Sequence, residues 1–236
     1  MKISVCIATY NGEKYIKRQL DSILFQISMN DEIIISDDSS TDNTIAIIES
    51  FHDRRIKLLK NNMFYSPIFN IENAIKYSSG DYIFLADQDD IWNSTKIEKT
   101  ILLLKDYDCV VSDATIINQD DEEISLSFYE INHTKSGFLN NLVKNGFIGC
   151  CMAFKSSLKP YILPFPNNIP MHDSWIGLNA YLHGKVIFSP EKLIQYRRHG
   201  NNVSMSGEKS NNSLIQKMKI RYTLIKNLRK RQKKNL

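Results

Sequence analysis

Long apolar runs are missing from this chain of 236 residues. No stretch of about 18 uninterrupted apolar residues occurs, so the sequence predicts no membrane-spanning helix. The N-terminus enters a strand-like run directly and lacks a cleavable secretory pattern, so we expect a cytoplasmic chain. Only 9 glycines and 6 prolines occur, and apolar residues make up 42%, which is typical of a globular protein with a sizeable core.

Short motifs that hold metals or phosphates through cysteine or glycine are also missing. The four cysteines, at positions 6, 109, 150 and 151, form no C-x-x-C pair, so we expect reduced, buried thiols. Neither G-x-G-x-x-G nor G-x-x-x-x-G-K-[ST] occurs, which argues against a dehydrogenase or a P-loop ATPase. A phosphate ligand would therefore have to be neutralised in another way, for example by a metal on carboxylates.

Acidic residues are absent from positions 217–236, which carry nine Lys or Arg. The rest of the chain has 21 basic and 26 acidic residues, so this segment turns a body of charge −5 into a protein of charge +4. Apolar residues recur at helical spacing just before and within it, at Leu214, Ile215, Met218, Tyr222 and Ile225. A basic amphipathic tail over residues 211–236 is typical of an anionic membrane surface as partner. The alternative is an ordinary helix packed on the body. Nucleic acid is not expected, because no aromatic-interleaved basic face extends into the body.

Strand-like and helix-like segments alternate over the first hundred residues. Apolar, β-branched runs occupy residues 3–8, 32–36, 56–59 and 82–86, and helical periodicity lies between them. This alternation predicts βαβ units and an α/β fold with a mixed, mainly parallel central sheet.

The second hundred residues are less regular. Residues 113–146 are polar, residues 149–154 are small and apolar, residues 175–182 look helical, and residues 186–188 look like a last strand. We predict one domain over residues 1–210, with a nucleotide-binding half (1–112) and a facing half (113–210), followed by the tail.

Polar clusters end three of the predicted strands: Thr9-Tyr10-Asn11, Asp37-Asp38 and Asp87-Gln88-Asp89-Asp90. Carboxyl ends of parallel strands meet at one edge of the sheet, where ligands bind. Three carboxylates in four residues repel one another unless a cation lies between them, so the last cluster predicts a divalent metal. A solvated turn is the alternative, and Asp37 and Asp38 could instead cap the next helix.

Two further clusters fall in the second half. Met171-His172-Asp173-Ser174-Trp175 opens a predicted helix, where Asp173 is either a general base or a residue that favours the helix dipole. Tyr196-Arg197-Arg198-His199-Gly200-Asn201-Asn202 follows a strand, and its arginines suit a diphosphate while its histidine suits a metal.

The order of these motifs resembles the family 2 glycosyltransferases over about residues 1–205. The match rests on Ile3-Ser4-Val5-Cys6-Ile7-Ala8-Thr9-Tyr10-Asn11-Gly12, Ile34-Ile35-Ser36-Asp37-Asp38-Ser39-Ser40-Thr41-Asp42-Asn43-Thr44 and Asp87-Gln88-Asp89-Asp90-Ile91-Trp92. A bacterial rhamnosyltransferase-like branch is suggested by Asn145-Gly146-Phe147-Ile148-Gly149-Cys150-Cys151 and by the two clusters of the second half.

The resemblance implies a GT-A fold of abutting Rossmann-like halves, a nucleotide-diphosphate sugar donor and inversion at the anomeric carbon. It implies Asp173 as the catalytic base and Mn²⁺ or Mg²⁺ as cofactor on Asp89, Asp87 and His199. The implied nucleotide-sugar ligands are Thr9, Tyr10, Asn11, Asp38, Asp87, Gln88, Arg197 and Arg198. The implied acceptor-side residues are Asp90, Trp92, His172 and Trp175.

The expected reaction is the addition of one hexose from a UDP- or dTDP-sugar to a saccharide acceptor, lipid-linked, in the synthesis of O-antigen, capsule or a similar polysaccharide. We expect a peripheral protein on the inner face of the cell membrane. The Gln-x-x-Arg-Trp element of processive synthases is absent, and His172 stands where the family often has Glu before the base. The alternatives are a sugar nucleotidyltransferase and a non-catalytic nucleotide-sugar-binding protein of the same fold.

Overall fold

The computed structural model describes residues 1–200 and 213–234. Within these residues, nine strands form one sheet in the order β3-β2-β1-β4-β8-β6-β9-β5, with β7 paired to β6 outside this row. The strands are β1 (Ile3–Thr9), β2 (Glu32–Asp37), β3 (Ile56–Leu59), β4 (Tyr82–Asp87), β5 (Ile91–Trp92), β6 (Cys109–Ile117), β7 (Glu123–Ser125), β8 (Met152–Lys155) and β9 (Val186–Arg197).

Nine α-helices connect or cover these strands in the described part of the chain. They are α1 (Ile16–Leu24), α2 (Thr44–Ser50), α3 (Pro67–Tyr77), α4 (Lys96–Leu104), α5 (Phe128–Asn132), α6 (Phe138–Val143), α7 (Lys159–Ile162), α8 (His172–His183) and α9 (Leu214–Lys234). Short 3₁₀ turns lie at Gly149–Cys151 and Ser156–Leu158.

The first half forms a parallel layer, as the alternating sequence pattern predicts. Strands β3, β2, β1 and β4 run parallel to one another. Every residue of β2 is buried, which suits a sheet covered by helices on both faces. In the register of these strands, Thr9 pairs with Asp37 and Ala8 pairs with Asp87, so the three predicted polar clusters lie at one edge of the sheet.

The second half is more strand-rich than its sequence suggests. The strand β9 spans Val186–Arg197, whereas the apolar run predicts only residues 186–188. Its middle residues, Glu191 and Lys192, are exposed and resemble a turn in sequence. The pairing of β6 with β9 shifts register near Ser112 and Asp113, and this irregularity lets the polar stretch stay in the sheet. The predicted boundary between residues 112 and 113 falls inside β6.

The C-terminal helix α9 packs on the body through its second half. Leu224 and Leu228 are buried in the hydrophobic core. The guanidinium of Arg231 donates to the carbonyls of Leu163 and Pro164 and lies 5.7 Å from the ring centroid of Trp175. This part of the tail is therefore an ordinary docked helix, as one of the two sequence interpretations predicts.

The first half of α9 is exposed, in contrast to its packed second half. Leu214, Ile215, Met218 and Tyr222, four of the five residues in the predicted apolar stripe, are 64–79% exposed. The helix carries no Asp or Glu. No helix among residues 1–200 and 213–234 is long and apolar enough to cross a membrane. The predicted domain boundary at residue 210 lies outside the described residues.

Glu32 stabilises the edge of the parallel layer where the strands begin, opposite the edge that carries the polar clusters. Its buried carboxylate accepts hydrogen bonds from Ser4 Oγ at 2.6 Å, Ser79 N at 2.7 Å, Ser79 Oγ at 2.8 Å, Lys57 Nζ at 2.7 Å and Lys2 Nζ at 2.9 Å. Burial by itself raises the pKa of Glu32, but the hydrogen bonds from Lys57, Ser4, the backbone of Ser79 and Lys2 outweigh burial and hold the pKa well below its usual range.

Replacing Glu32 by Gln should therefore destabilise the fold by about 1–3 kcal/mol, since the donors of Ser4, Ser79 and the two lysines lose their charged, buried acceptor. The measurement is urea unfolding near neutral pH. Glu49→Gln is the matched control, because the Glu49–Lys60 pair is half-exposed on both sides and should change the free energy of unfolding by less than about 0.5 kcal/mol. Equal effects of the two variants would contradict the role of Glu32.

Candidate active site

The ends of β1 and β2 form a self-contained hydrogen-bond network. Thr9 Oγ1 donates to Asp37 Oδ2 at 2.8 Å. Ser40 donates to the same carboxylate through its backbone N at 2.8 Å and its Oγ at 2.6 Å. Both Thr9 and Asp37 are buried, so they shape the loops at this edge. A nucleoside contact of the Thr9 side chain stays a prediction.

The carboxylate of Asp38 accepts hydrogen bonds from two backbone amides. Its Oδ1 accepts from Phe64 N at 2.6 Å and its Oδ2 accepts from Ser66 N at 3.1 Å. Between these donors Tyr65 adopts a left-handed backbone with φ of 49° and is 82% exposed. Asp38 thus fixes the loop that borders the predicted nucleoside site, and neither Asp37 nor Asp38 caps α2, whose N-cap is Asn43.

The loops after β1 and β4 are joined to each other by Gln88. Its Oε1 accepts from Tyr10 N at 2.9 Å and its Nε2 donates to Tyr10 O at 3.0 Å. A Cβ on Gly12 would lie 2.4 Å from Gln88 Oε1, so a larger residue at position 12 would displace the Gln88 side chain from this bridge. Asn11 Oδ1 accepts from Thr41 N at 2.8 Å. Tyr10 keeps its side chain 56% exposed, which leaves its ring available to a ligand.

The acidic cluster after β4 is tied to the end of β9. His199 Nε2 lies 2.8 Å from Asp89 Oδ2, across 110 residues of sequence. Arg197 N donates to Asp90 Oδ1 at 2.9 Å, and Arg197 Nε donates to the carbonyl of Asp89 at 2.7 Å. The structure therefore brings together Asp89 and His199, two of the predicted metal ligands.

Burial and mutual repulsion oppose the simultaneous ionisation of the carboxylates in this cluster. Burial, and then the charge of Asp89, raise the pKa of Asp87 to about 7. Burial, and then the charges of Asp89 and Asp87, raise the pKa of Asp90 well above its usual range. Carboxylate oxygens and an imidazole nitrogen suit Mg²⁺ or Mn²⁺, and a cation would relieve this repulsion. The residues present therefore fit a divalent metal.

Asp173 begins α8 next to this cluster. Asn145 Nδ2 lies 3.2 Å from each of its carboxylate oxygens, and Ser174 N donates to its Oδ1 at 2.5 Å. Burial raises the pKa of Asp173 to about 6, against the two hydrogen-bonding neighbours, which lower it. The charge of Asp173 also contributes to the raised pKa of Asp87, so the two carboxylates lie close enough to repel each other. Asn145 was not among the predicted site residues, although it opens one of the matching motifs.

The predicted acceptor-side residues lie deeper than expected. Trp92 is 3% exposed, and Trp175 is 0% exposed with its Nε1 donating to Ile162 O at 2.8 Å. His172 is buried, and burial lowers its pKa to about 4, so it is neutral near pH 7. A Cβ on Gly149 would lie 2.4 Å from His172 Nε2. Acceptor contacts of these three side chains stay predictions, and in this structure all three are buried.

The side chain of Arg197 is buried and connects several segments of the protein. It is 1% exposed, and besides Asp89 O it donates to Asn118 O at 2.9 Å and pairs with Asp121 at 2.6 Å. Its guanidinium lies 4.7 Å from the ring centroid of Tyr15, which stacks on His199. A diphosphate contact of Arg197 would require these partners to change. Arg198 is only half-buried, and its contact with a diphosphate stays a prediction; Asn201 and Asn202 lie outside the described residues.

Residues 4–161 match the family model described as Glycosyl transferase family 2, so the chain belongs to this family. The fold agrees. The S. aureus TarS 1-349 structure in complex with UDP-GlcNAc has a TM-score of 0.73 at 20% identity, covering 96% of this chain and 67% of that chain. A Pyrobaculum calidifontis mannosyltransferase in complex with GDP-Man and Mn²⁺ has a TM-score of 0.59 at 20% identity, covering 80% of this chain and 55% of that chain. These likenesses establish the predicted GT-A fold.

Two bacterial relatives are closer in sequence. An Escherichia coli UDP-Glc:alpha-D-GlcNAc-diphosphoundecaprenol beta-1,3-glucosyltransferase is 33% identical over 167 residues, which are 69% of this chain and 64% of the relative. A Shigella flexneri dTDP-rhamnosyl transferase is 42% identical over 112 residues, which are 44% of this chain and 37% of the relative. The chain thus spans less than two thirds of the length of these relatives.

The acidic cluster predicts a pH-dependent stabilisation by Mn²⁺. The raised pKa values of Asp87 and Asp90 mean that the folded protein binds more protons than the unfolded chain between about pH 4 and pH 7, so metal-free stability falls as pH rises through this window. Mn²⁺ should offset this loss, and its gain in melting temperature should be larger at about pH 8 than at about pH 5.5.

Asp89→Asn should remove most of that gain, whereas Asp21→Asn, at an exposed ion pair on α1, should keep it. Thermal unfolding of chelator-treated protein with and without Mn²⁺ measures the effect. A gain that is independent of pH, or that persists in Asp89→Asn, would contradict the assignment.

Proposed function

We propose that this protein transfers a single sugar from a UDP- or dTDP-sugar to a hydroxyl of a lipid-linked glycan precursor, with inversion at the anomeric carbon. The observation that carries the proposal is Asp173, held by Asn145 beside the Asp87–Asp89–His199 group. In this arrangement Asp173 would accept a proton close to the residues that would hold the metal and the diphosphate of the donor. The lipid-linked acceptor is supported by the Escherichia coli relative, which transfers glucose to alpha-D-GlcNAc-diphosphoundecaprenol. An acceptor of this class would suit the synthesis of O-antigen, capsule or a similar polysaccharide.

The donor side of the site would be formed by three groups. The exposed ring of Tyr10 and the loop held by Asp38 border the nucleoside position. Asp89 and His199, with Asp87, would hold Mn²⁺ or Mg²⁺. When bound, such a cation neutralises the diphosphate and stabilises its growing charge as the sugar leaves. Arg198 is the arginine we assign to the diphosphate.

The acceptor side centres on Asp173. Its carboxylate accepts the proton of the attacking hydroxyl, while Asn145 keeps both carboxylate oxygens oriented. A pKa of about 6 makes Asp173 ionised near neutral pH and still a stronger base than an exposed aspartate. Because the hydroxyl attacks from the face opposite the departing diphosphate, the anomeric configuration inverts.

Asp173→Asn should lower the transfer rate by about 10²–10⁴-fold, because the general base is lost, while binding of the nucleotide sugar is retained. Activity of the unmodified protein should fall as pH drops through about 6, where Asp173 takes up a proton. Asp81→Asn, at an exposed position far from the site, is the control. Rates from product formation and donor affinities from calorimetry are compared, and near-normal transfer by Asp173→Asn would refute the proposed chemistry.

The exposed half of α9 would bind the inner face of an anionic membrane, next to a lipid-linked acceptor. Its outward apolar residues, Leu214, Ile215, Met218 and Tyr222, are accompanied by basic residues without any acid. Near an anionic leaflet each basic residue contributes about 1 kcal/mol to binding. Apolar side chains that enter the headgroup region add to this attraction.

The double substitution Leu214→Gln and Met218→Gln should reduce flotation with anionic vesicles and leave folding intact, because both side chains are exposed. Point substitutions are preferable to deleting α9, since the deletion would uncover core contacts of Leu224 and Leu228. Ile124→Gln, at a 56% exposed residue of β7, is the matched control. Equal flotation of both variants and the unmodified protein would exclude this role of α9.

A further inference from the structure

Cys150 is placed against the acidic cluster by the sheet. It lies in the 3₁₀ turn Gly149–Cys151 directly before β8, and β8 pairs antiparallel with β4, the strand that ends in Asp87. Ligand atoms of Asp87, Asp90 and Cys150 all lie within 4.8 Å of one another. The thiol is fully buried, and the sequence pattern of the four cysteines contains no sign of this neighbourhood.

Asp90 supplies an independent indication of a missing ligand. Asp90 is 1% exposed, its Oδ1 accepts from Arg197 N, and its Oδ2 has no hydrogen-bond partner apart from the Cys150 thiol that faces the carboxylate. Because a thiol is only a weak donor, this buried oxygen is poorly satisfied, and a bound cation would recover the free energy that its burial costs.

A second buried cation, besides Arg197, lies near Cys150 and does not pair directly with the carboxylates. Lys96 is 1% exposed, and its Nζ lies 3.5 Å from the carbonyl of Cys150 and 4.9 Å from the ring centroid of Trp92. Within the described residues Lys96 forms no ion pair with a carboxylate. Its charge favours anionic ligands nearby while leaving their ligand atoms open to a metal.

We infer that Asp87, Asp90 and Cys150 form a site for a borderline divalent cation of the zinc class, bound through one thiolate and two carboxylates. Thiolate ligands select such ions over Mg²⁺, which prefers oxygen. In a tetrahedral site with bonds of about 2.0–2.3 Å, ligand atoms lie about 3.4–3.8 Å apart, so movements of about 1 Å by the side chains close the site. Binding forms the sulfur–metal bond and releases the thiol proton to solvent.

This site differs from the one proposed for the donor's cation, which uses Asp89 and His199. Asp87 is common to both. An ion held by Cys150 therefore engages a carboxylate that the donor's cation also needs, and zinc-class ions should compete with Mn²⁺. This consequence rests on the proposed function, whereas the site itself does not.

Titration of the chelator-treated full chain with Co²⁺ alone tests the site. A thiolate ligand gives Co²⁺ an intense near-ultraviolet charge-transfer absorption, which oxygen and nitrogen ligands do not produce. We expect this absorption at one equivalent of Co²⁺, its loss in Cys150→Ser, and its retention in Cys151→Ser, the neighbouring buried thiol. Asp90→Asn should bind Co²⁺ at least tenfold more weakly, and added Zn²⁺ should remove the absorption.

Absence of the absorption in the unmodified protein, its persistence in Cys150→Ser, or its loss in Cys151→Ser would overturn the inference. Circular dichroism of each serine variant confirms that it is folded. Sugar transfer is assayed separately with Mn²⁺. Transfer without the cobalt absorption refutes only this site, and the absorption without transfer refutes only the proposed function.

Discussion

Electrostatic repulsion among Asp87, Asp89 and Asp90 is the constraint on which the site is built. Such a group is stable at the end of a buried strand only if other parts of the chain supply donors or positive charge. The end of β9 does so twice, with the backbone and guanidinium of Arg197 and with the imidazole of His199. The remaining repulsion keeps the pKa values of Asp87 and Asp90 high and prepares the cluster for a cation. A bound cation would relieve the repulsion between the carboxylates that Arg197 and His199 leave uncompensated.

Many polar residues around this cluster hold loops in place. Thr9, Asn11, Asp38 and Gln88 use their side chains for hydrogen bonds to neighbouring loops. Such contacts preorganise the cleft, because loops that are already fixed lose less entropy when a nucleotide binds. The same principle applies to the proposed base, Asp173, because Asn145, in the segment that follows α6, restricts its carboxylate.

The helix α9 packs on the body, as one interpretation of its sequence predicts. It also has an exposed apolar face, on which the membrane interpretation depends. A helix has several faces, and on α9 one face packs through Leu224 and Leu228 while another leaves Met218 and Tyr222 exposed. Amphipathic periodicity alone does not say which apolar face meets the protein. Only the position of the body, with the Leu163 carbonyl as acceptor for Arg231, selects the packed face.

The sequence by itself determined the α/β class, the parallel first half and the gathering of polar residues at one sheet edge, because local apolar periodicity and strand direction suffice for these features. Through the resemblance of its motifs to the family, it also predicts Asp89, His199 and Asp173 as site residues. Tertiary structure decided what local patterns do not encode: the full length of β9, the inward turn of Arg197 and Trp175, and the approach of Cys150 to Asp87 and Asp90. Those features depend on strand register and on contacts across more than fifty residues, and such long-range pairings are set by packing of the whole core.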